Sequence, residues 1–246
     1  MKRLVAAELL KVRSTRSAWV LAVVAVVFCL MWTAVDVLVL PFDGSDQQVE
    51  DAYGMAQQGY LMVMILGVLV AAGDYRHQTI TWALLVTPRR GRVITAKLLS
   101  CAVFGLAVGV AAAVATGALT AGLLAASGYP VLTAGVPLVL LGSVLGTTLW
   151  CVFGAALGAL LRNQVLAVGA AFVWFFYAEW FLVMMLPEVG RWTPTGAAKA
   201  VAGWHRTGMP VAGELLPMWA GGLVFLGYAL VAAALARAVS VRRDIT

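Results

Sequence analysis

Charge is scarce in this chain. Only 11% of its 246 residues are Asp, Glu, Lys or Arg, where soluble domains carry about 25%. With 63% apolar residues and a mean hydropathy of +0.95, an ordinary soluble domain is excluded. Histidine is scarcer still: His77 and His205 are the only two. They leave no His-Glu-x-x-His zinc motif, no Gly-x-Ser-x-Gly occurs, and no cluster of carboxylates lies near one face, so a membrane-embedded enzyme is a poor reading. None of the four lysines is followed by Ser or Thr, which excludes a Gly-x-x-x-x-Gly-Lys-Ser/Thr phosphate loop. The three cysteines, Cys29, Cys101 and Cys151, fall inside apolar runs. Their odd number and setting argue against a disulfide framework or a metal site.

What the chain has is long apolar sequence. Six runs, at about 18–40, 55–73, 98–126, 136–161, 165–186 and 217–239, each approach the roughly 20 residues that a helix needs to cross a bilayer. The expectation is an all-α polytopic integral membrane protein, with no room for a separate catalytic domain. The first run exceeds a signal-peptide core and no small-x-small cleavage site follows it, so it reads as a permanent span.

Charge placement orients the spans. With both termini cytoplasmic, 14 of the 17 basic residues face inward, leaving Arg191, Lys199 and Arg206 outside. A bias of that size follows the positive-inside rule for a cell-membrane protein. The first outer loop is acidic, with Asp43, Asp46, Glu50 and Asp51. Topology therefore accounts for the net charge of +6, and no nucleic-acid partner is needed.

Residues 1–17 read as an amphipathic helix lying in the inner headgroup region ahead of a six-span domain at 18–246. Glu8, Lys11 and Thr15 share one face; Val5, Leu9 and Val12 share another. Contact with membrane lipid and contact with a partner both explain such a helix.

Between the second and third runs lies Gly73-Asp74-Tyr75-Arg76-His77-Gln78-Thr79-Ile80, running on to Thr87-Pro88-Arg89-Arg90. The apolar stretch Thr79–Val86 is too short to span. Thr87 and Pro88 supply an N-cap and a Pro at the first helical position. The next helix opens on Arg89, Arg90, Arg92 and Lys97, so the third span projects about two turns into the cytoplasm. The result is an elbow followed by a lever that enters the bilayer.

These residues resemble the coupling segment of ABC type-2 transporter permeases. The opening Glu8-Leu9-Leu10-Lys11 with Arg13-Ser14-Thr15-Arg16, the six-span layout and the longer outer segment before the last span are similar as well. Asp74 departs from the Glu more common in the family but keeps the charge. The resemblance implies a permease in which two such subunits, alike or different, form the translocation pathway; the apolar interior favours a hydrophobic or amphipathic cargo. Each would dock on a separate ATP-binding subunit that carries ATP and Mg, so that this chain has no cofactor of its own. It implies that Asp74, Tyr75, Arg76, His77 and Thr79 lie at or near the docking surface, with Arg89 and Arg90 at the turn. For the arginines, plain topology control is the competing reading.

Within the spans, Gly142, Gly146, Gly154 and Gly158 form one stripe around Trp150, and Gly105 and Gly109 add to it. Close helix packing within one subunit is favoured over a dimer seam or a substrate groove. Two carboxylates fall in the spans. Asp36, near the outer end of the first, is expected to reach interfacial water. Glu179, among Phe175, Phe176, Tyr177, Trp180 and Phe181, has three readings: contact with a cationic cargo group, a bond to a neighbouring helix, or an anchor for the outer segment. That segment, Pro187 to Pro217, holds a candidate short helix at Gly196–Trp204 expected to rest on or dip into the outer interface; by resemblance it is a re-entrant cap. A stand-alone secondary transporter or channel, and a non-transporting scaffold or immunity component, are the alternatives. Loss of a partner on mutating the elbow distinguishes the permease from them.

Overall fold

The computed structural model describes residues 1–76, 90–205 and 214–242. Every regular element among them is helical. Six helices are long and apolar enough to cross a membrane: Arg16–Leu38, Asp46–Arg76, Gly91–Ser127, Val136–Leu161, Gln164–Met185 and Met218–Val239. The six expected spans are all present.

Helix α1 (Lys2–Ser14) ends because two hydroxyls compete for one of its last carbonyls: Ser14 Oγ and Thr15 Oγ1 both donate to Lys11 O, at 2.9 and 2.7 Å. Thr15 is extended (φ −90°, ψ 115°), and α2 (Arg16–Leu38) starts immediately after it. The charged face of α1 does not lie wholly in the headgroups. Glu8 is buried along with Val12, and Leu9 packs on the core.

The acidic stretch expected as an outer loop is largely helix. α3 (Asp46–Gly54) and a 3-10 turn (Met55–Gln57) lead into α4 (Tyr60–Arg76). Within α3, Asp51 is buried and accepts from His205 N at 2.6 Å, while the Gly54 carbonyl accepts from Trp204 Nε1 at 3.1 Å. These acids are thus partly structural.

Helix α5 (Arg90–Ser127) runs about 57 Å at 1.5 Å per residue, nearly twice a hydrocarbon core of about 30 Å. Helix α6 (Val136–Leu161) packs against both α4 and α5. Apolar burial does not drive helices together in lipid, so close packing must. Gly67 of α4 lies against the Cys151 carbonyl, and Gly154 of α6 lies against the Met64 carbonyl. A Cβ at either position would enter the opposing backbone. The glycine stripe therefore serves contacts within the chain. Between its glycines Trp150 is enclosed by Tyr60, Phe175 and Phe225, ring centroids 4.8–5.1 Å away.

Arg162 ends α6 in the left-handed region (φ 54°), and Asn163 caps α7 (Gln164–Val173) by accepting from Leu166 N at 3.1 Å. A π-helical turn (Trp174–Ala178) joins α7 to α8 (Glu179–Met185). Ala167, Ala171, Glu179 and Val183 are buried, and their spacing in multiples of four drifts off one face of a 3.6-residue helix. The wider π turn corrects part of that drift and turns Glu179 inward.

A 3-10 segment (Pro187–Trp192) precedes α9 (Pro194–Val201), which is capped by Thr193 Oγ1 accepting from Gly196 N at 3.1 Å. The short outer helix thus starts two residues earlier than expected. It is enclosed by protein rather than lying bare on lipid: Pro194 to Ala198, Ala200 and Val201 are buried, and α9 packs on α6 and on α10 (Met218–Arg242). Irregular backbone at such a place is tolerated when protein encloses it.

Candidate functional site

Three chain segments converge near the start of α5. Lys97, seven residues into that helix, is buried, with its side chain 2% exposed. Its Nζ donates to Glu8 Oε2 of α1 and to Asp74 Oδ2 of α4, each at 2.6 Å. Lys11 Nζ reaches the same two acids, 2.8 Å from Glu8 Oε1 and 3.5 Å from Asp74 Oδ2. Two cations and two anions thus form a neutral quartet that joins α1, α4 and α5.

Local structure places each member. Glu8 and Lys11 are one turn apart on α1, where they meet on one face. Asp74 stands in the last turn of α4. Lys97 sits one turn after Val93 and Ile94, which are both buried, so the face of α5 that carries it is the inward one. An unpaired ammonium there would be strongly disfavoured; two carboxylates at hydrogen-bond distance compensate its desolvation. Beside the quartet is a cavity of about 390 Å³, lined by Lys11, Leu21, Leu66, Asp74, Arg76 and Gln164 among others.

The neighbouring elbow residues divide. The Tyr75 ring lies 5.6 Å from the Arg162 guanidinium carbon, within cation–π range. Arg162 Nη2 also donates to Val239 O of α10 at 3.2 Å. Tyr75 is therefore part of a second tie, from α4 through the α6–α7 turn to the last span. The Arg76 side chain is exposed at the cavity rim. Arg90 is the first described residue of α5. His77, Thr79 and Arg89 lie outside the described residues.

The two intramembrane acids are both enclosed. Asp36 is 2% exposed, so it does not sit in interfacial water as its position near a span end implies. Glu179 is fully buried and accepts from Thr195 N at 3.0 Å and Thr195 Oγ1 at 2.8 Å. Of its three readings, a bond to the outer segment is the one the geometry displays. Lys199 of α9 lies near enough for its charge to act on Glu179, and its Nζ is 5.0 Å from the Trp204 ring centroid.

Reading the sequence missed the pairing of Lys97 with Glu8. A signal for it existed: a lone Lys entering an apolar run must find an acid, and Glu8 and Asp74 bear the nearest inner carboxylates. What the quartet can do is mechanical. It fixes the lever helix to the end of the preceding span and to the N-terminal helix, through contacts that a displacement of about an ångström would strain.

No curated protein matches this chain. Residues 4–178 match the family model described as ABC-2 family transporter protein, a stretch that contains most of α1 and all four residues of the quartet.

Proposed function

The chain belongs to the ABC-2 transporter family as a membrane-spanning permease, and from that premise we propose that it is one half of an ATP-driven exporter. A separate ATP-binding subunit supplies the ATP and Mg chemistry. A second permease, identical or not, completes the pathway in the cell membrane, with the termini cytoplasmic. The largely apolar interior suits a hydrophobic or amphipathic cargo, and Asp36 and Glu179 are the pathway candidates among its carboxylates.

The observation that carries this reading is the Lys97 quartet at the root of a helix longer than the bilayer. Force applied by a partner to the segment between Arg76 and Arg90 reaches α5 directly. The quartet passes it to α1 and α4 together, so that the inner ends of three helices move as one. Nucleotide-driven approach of two ATP-binding subunits then shifts the permease between inward- and outward-open populations. Asp74 acts within this root, while Arg76, exposed beside it, is the better candidate for direct docking.

Affinity purification of the tagged chain in mild detergent tests the reading. An ATP-hydrolysing subunit should accompany the parent and be largely lost from Arg76→Ala, a surface change that leaves the quartet intact. Absence of any such subunit from the parent across several detergents would sink the proposal.

A further inference from the structure

A second cavity lies on the opposite side of α5 from the quartet. It is a groove of about 800 Å³ between α5 and α10, floored by α6. Leu99 and Ala102 form one wall, Val152 the floor, and Leu230 and Ala234 the other wall. Small residues on α10 keep it open. From Leu226 to Arg237, both lining residues, α10 rises about 16 Å at 1.5 Å per residue. That matches one leaflet, half of a hydrocarbon core of about 30 Å.

Charge is confined to one end, and Thr148 on the floor spends its hydroxyl on Val144 O at 2.8 Å. Arg237 closes the groove beside Thr95 and the first turn of α5, its guanidinium lying so close over Gly91 that a Cβ there would be 2.9 Å from Nε. Among the described residues no carboxylate pairs with Arg237, in contrast with Lys97, which has two. An apolar slot one leaflet deep with an unmatched guanidinium at headgroup level has the shape and charge of a phospholipid with an anionic head. A second copy of the chain fits less well, since the carboxylates of its spans are enclosed and Glu8 and Asp74 are already held by lysines.

We propose that this groove is a site for an anionic glycerophospholipid of the inner leaflet, its phosphate on Arg237 and one acyl chain lying between α5 and α10. The site touches the lever helix on the face away from the quartet, so lipid composition would bear on the same element that the partner moves. The binding claim itself stands apart from the ATP-driven reading and does not need a partner subunit.

Native mass spectrometry of the delipidated chain in detergent provides the test, titrating phosphatidylglycerol and phosphatidylcholine of identical acyl chains. The parent should retain phosphatidylglycerol about fivefold better, as one interfacial Arg allows. Arg237→Gln should abolish the preference and Arg237→Lys should keep most of it, which separates charge from misfolding. Ala234→Phe, at an exposed position, should fill the groove and lower retention of both lipids. Equal retention by the parent, a preference that survives Arg237→Gln, or unchanged retention by Ala234→Phe would overturn the proposal. So would conversion of a dimer to a monomer by Ala234→Phe, which would make the groove a seam between copies.

Discussion

The ammonium of Lys97 lies 2.6 Å from a carboxylate oxygen of Asp74, and the pair bridges the last turn of one span and the root of the next. Between them in sequence is the segment at which the proposed reading places the docking of an ATP-binding subunit. The ion pair therefore ties the end of α4 to the start of α5.

Removing one partner from such a cluster leaves uncompensated charge, so the penalty is asymmetric. Lys97→Met should destabilise the purified protein by roughly 3–5 kcal/mol, read as thermal unfolding in detergent. The triple variant Glu8→Gln, Asp74→Asn, Lys97→Met removes every buried charge of the cluster and leaves only the half-exposed Lys11, so it should recover most of that loss. It should nevertheless fail to couple ATP hydrolysis to transport if the quartet carries motion. A loss from Lys97→Met no larger than that from Lys2→Met on the exposed end of α1 would show that the cluster contributes no stability.

The six spans were legible because unbroken apolar length is read directly from sequence. Close packing through the glycine stripe was legible too, since Gly154 and its neighbours recur at helical spacing. The quartet was not, because Lys97 finds Glu8 across 89 residues and only the fold decides which charge meets which. Asp36 misled for a related reason: proximity to a span end suggested water, but that end is packed against α3, with Val37 in one cluster with Val49 and Ala52, and Asp36 is buried. The depth of α9 was also hidden. Thr193-Pro194 marks a helix start, yet composition alone does not tell a helix lying on lipid from one enclosed by α6 and α10. The docking assignments of His77, Thr79 and Arg89 fall outside the described residues and stay with the proposal.

The α4–α6 crossing predicts a contrast between two glycines. Gly154→Ala would drive a Cβ into the Met64 carbonyl, and it should separate the helices and lower the melting temperature markedly. Gly227 of α10 has nothing within 4 Å of the same position. Gly227→Ala should be neutral or stabilise by up to about 1 kcal/mol through helix propensity. Equal effects from the two changes would mean that the crossing is looser than described.

Glu179 holds two donors of Thr195, so truncation should cost more than amide substitution. Glu179→Ala leaves the buried Thr195 N–H and hydroxyl unmatched, at about 1–3 kcal/mol. Glu179→Gln retains one acceptor oxygen and should lose less. Amide hydrogen exchange across residues 193–201 reads the effect where it arises. Exchange there should accelerate in the alanine variant and rise less in the glutamine variant. Unchanged exchange in both would remove Glu179 as the anchor of α9.

Lys199, on α9 outside the spans, supplies a pH dependence. Burial pushes its ammonium down to about 8, with the Glu179 charge opposing the shift. Below pH 8 the lysine is charged in the folded and unfolded chains alike, and folding carries the full cost of burying that charge. Above pH 8 the folded protein releases the proton while the unfolded chain holds it until about 10.5, so the unfolded state binds more protons and stability rises with pH. Between pH 8 and 9.5 the gain should be on the order of 1 kcal/mol. Lys199→Gln should flatten this rise and be the more stable of the two at pH 7. Melting curves of both proteins across that window decide the matter. Parallel pH profiles would show that Lys199 keeps an ordinary ammonium, with its head in water rather than within the outer segment.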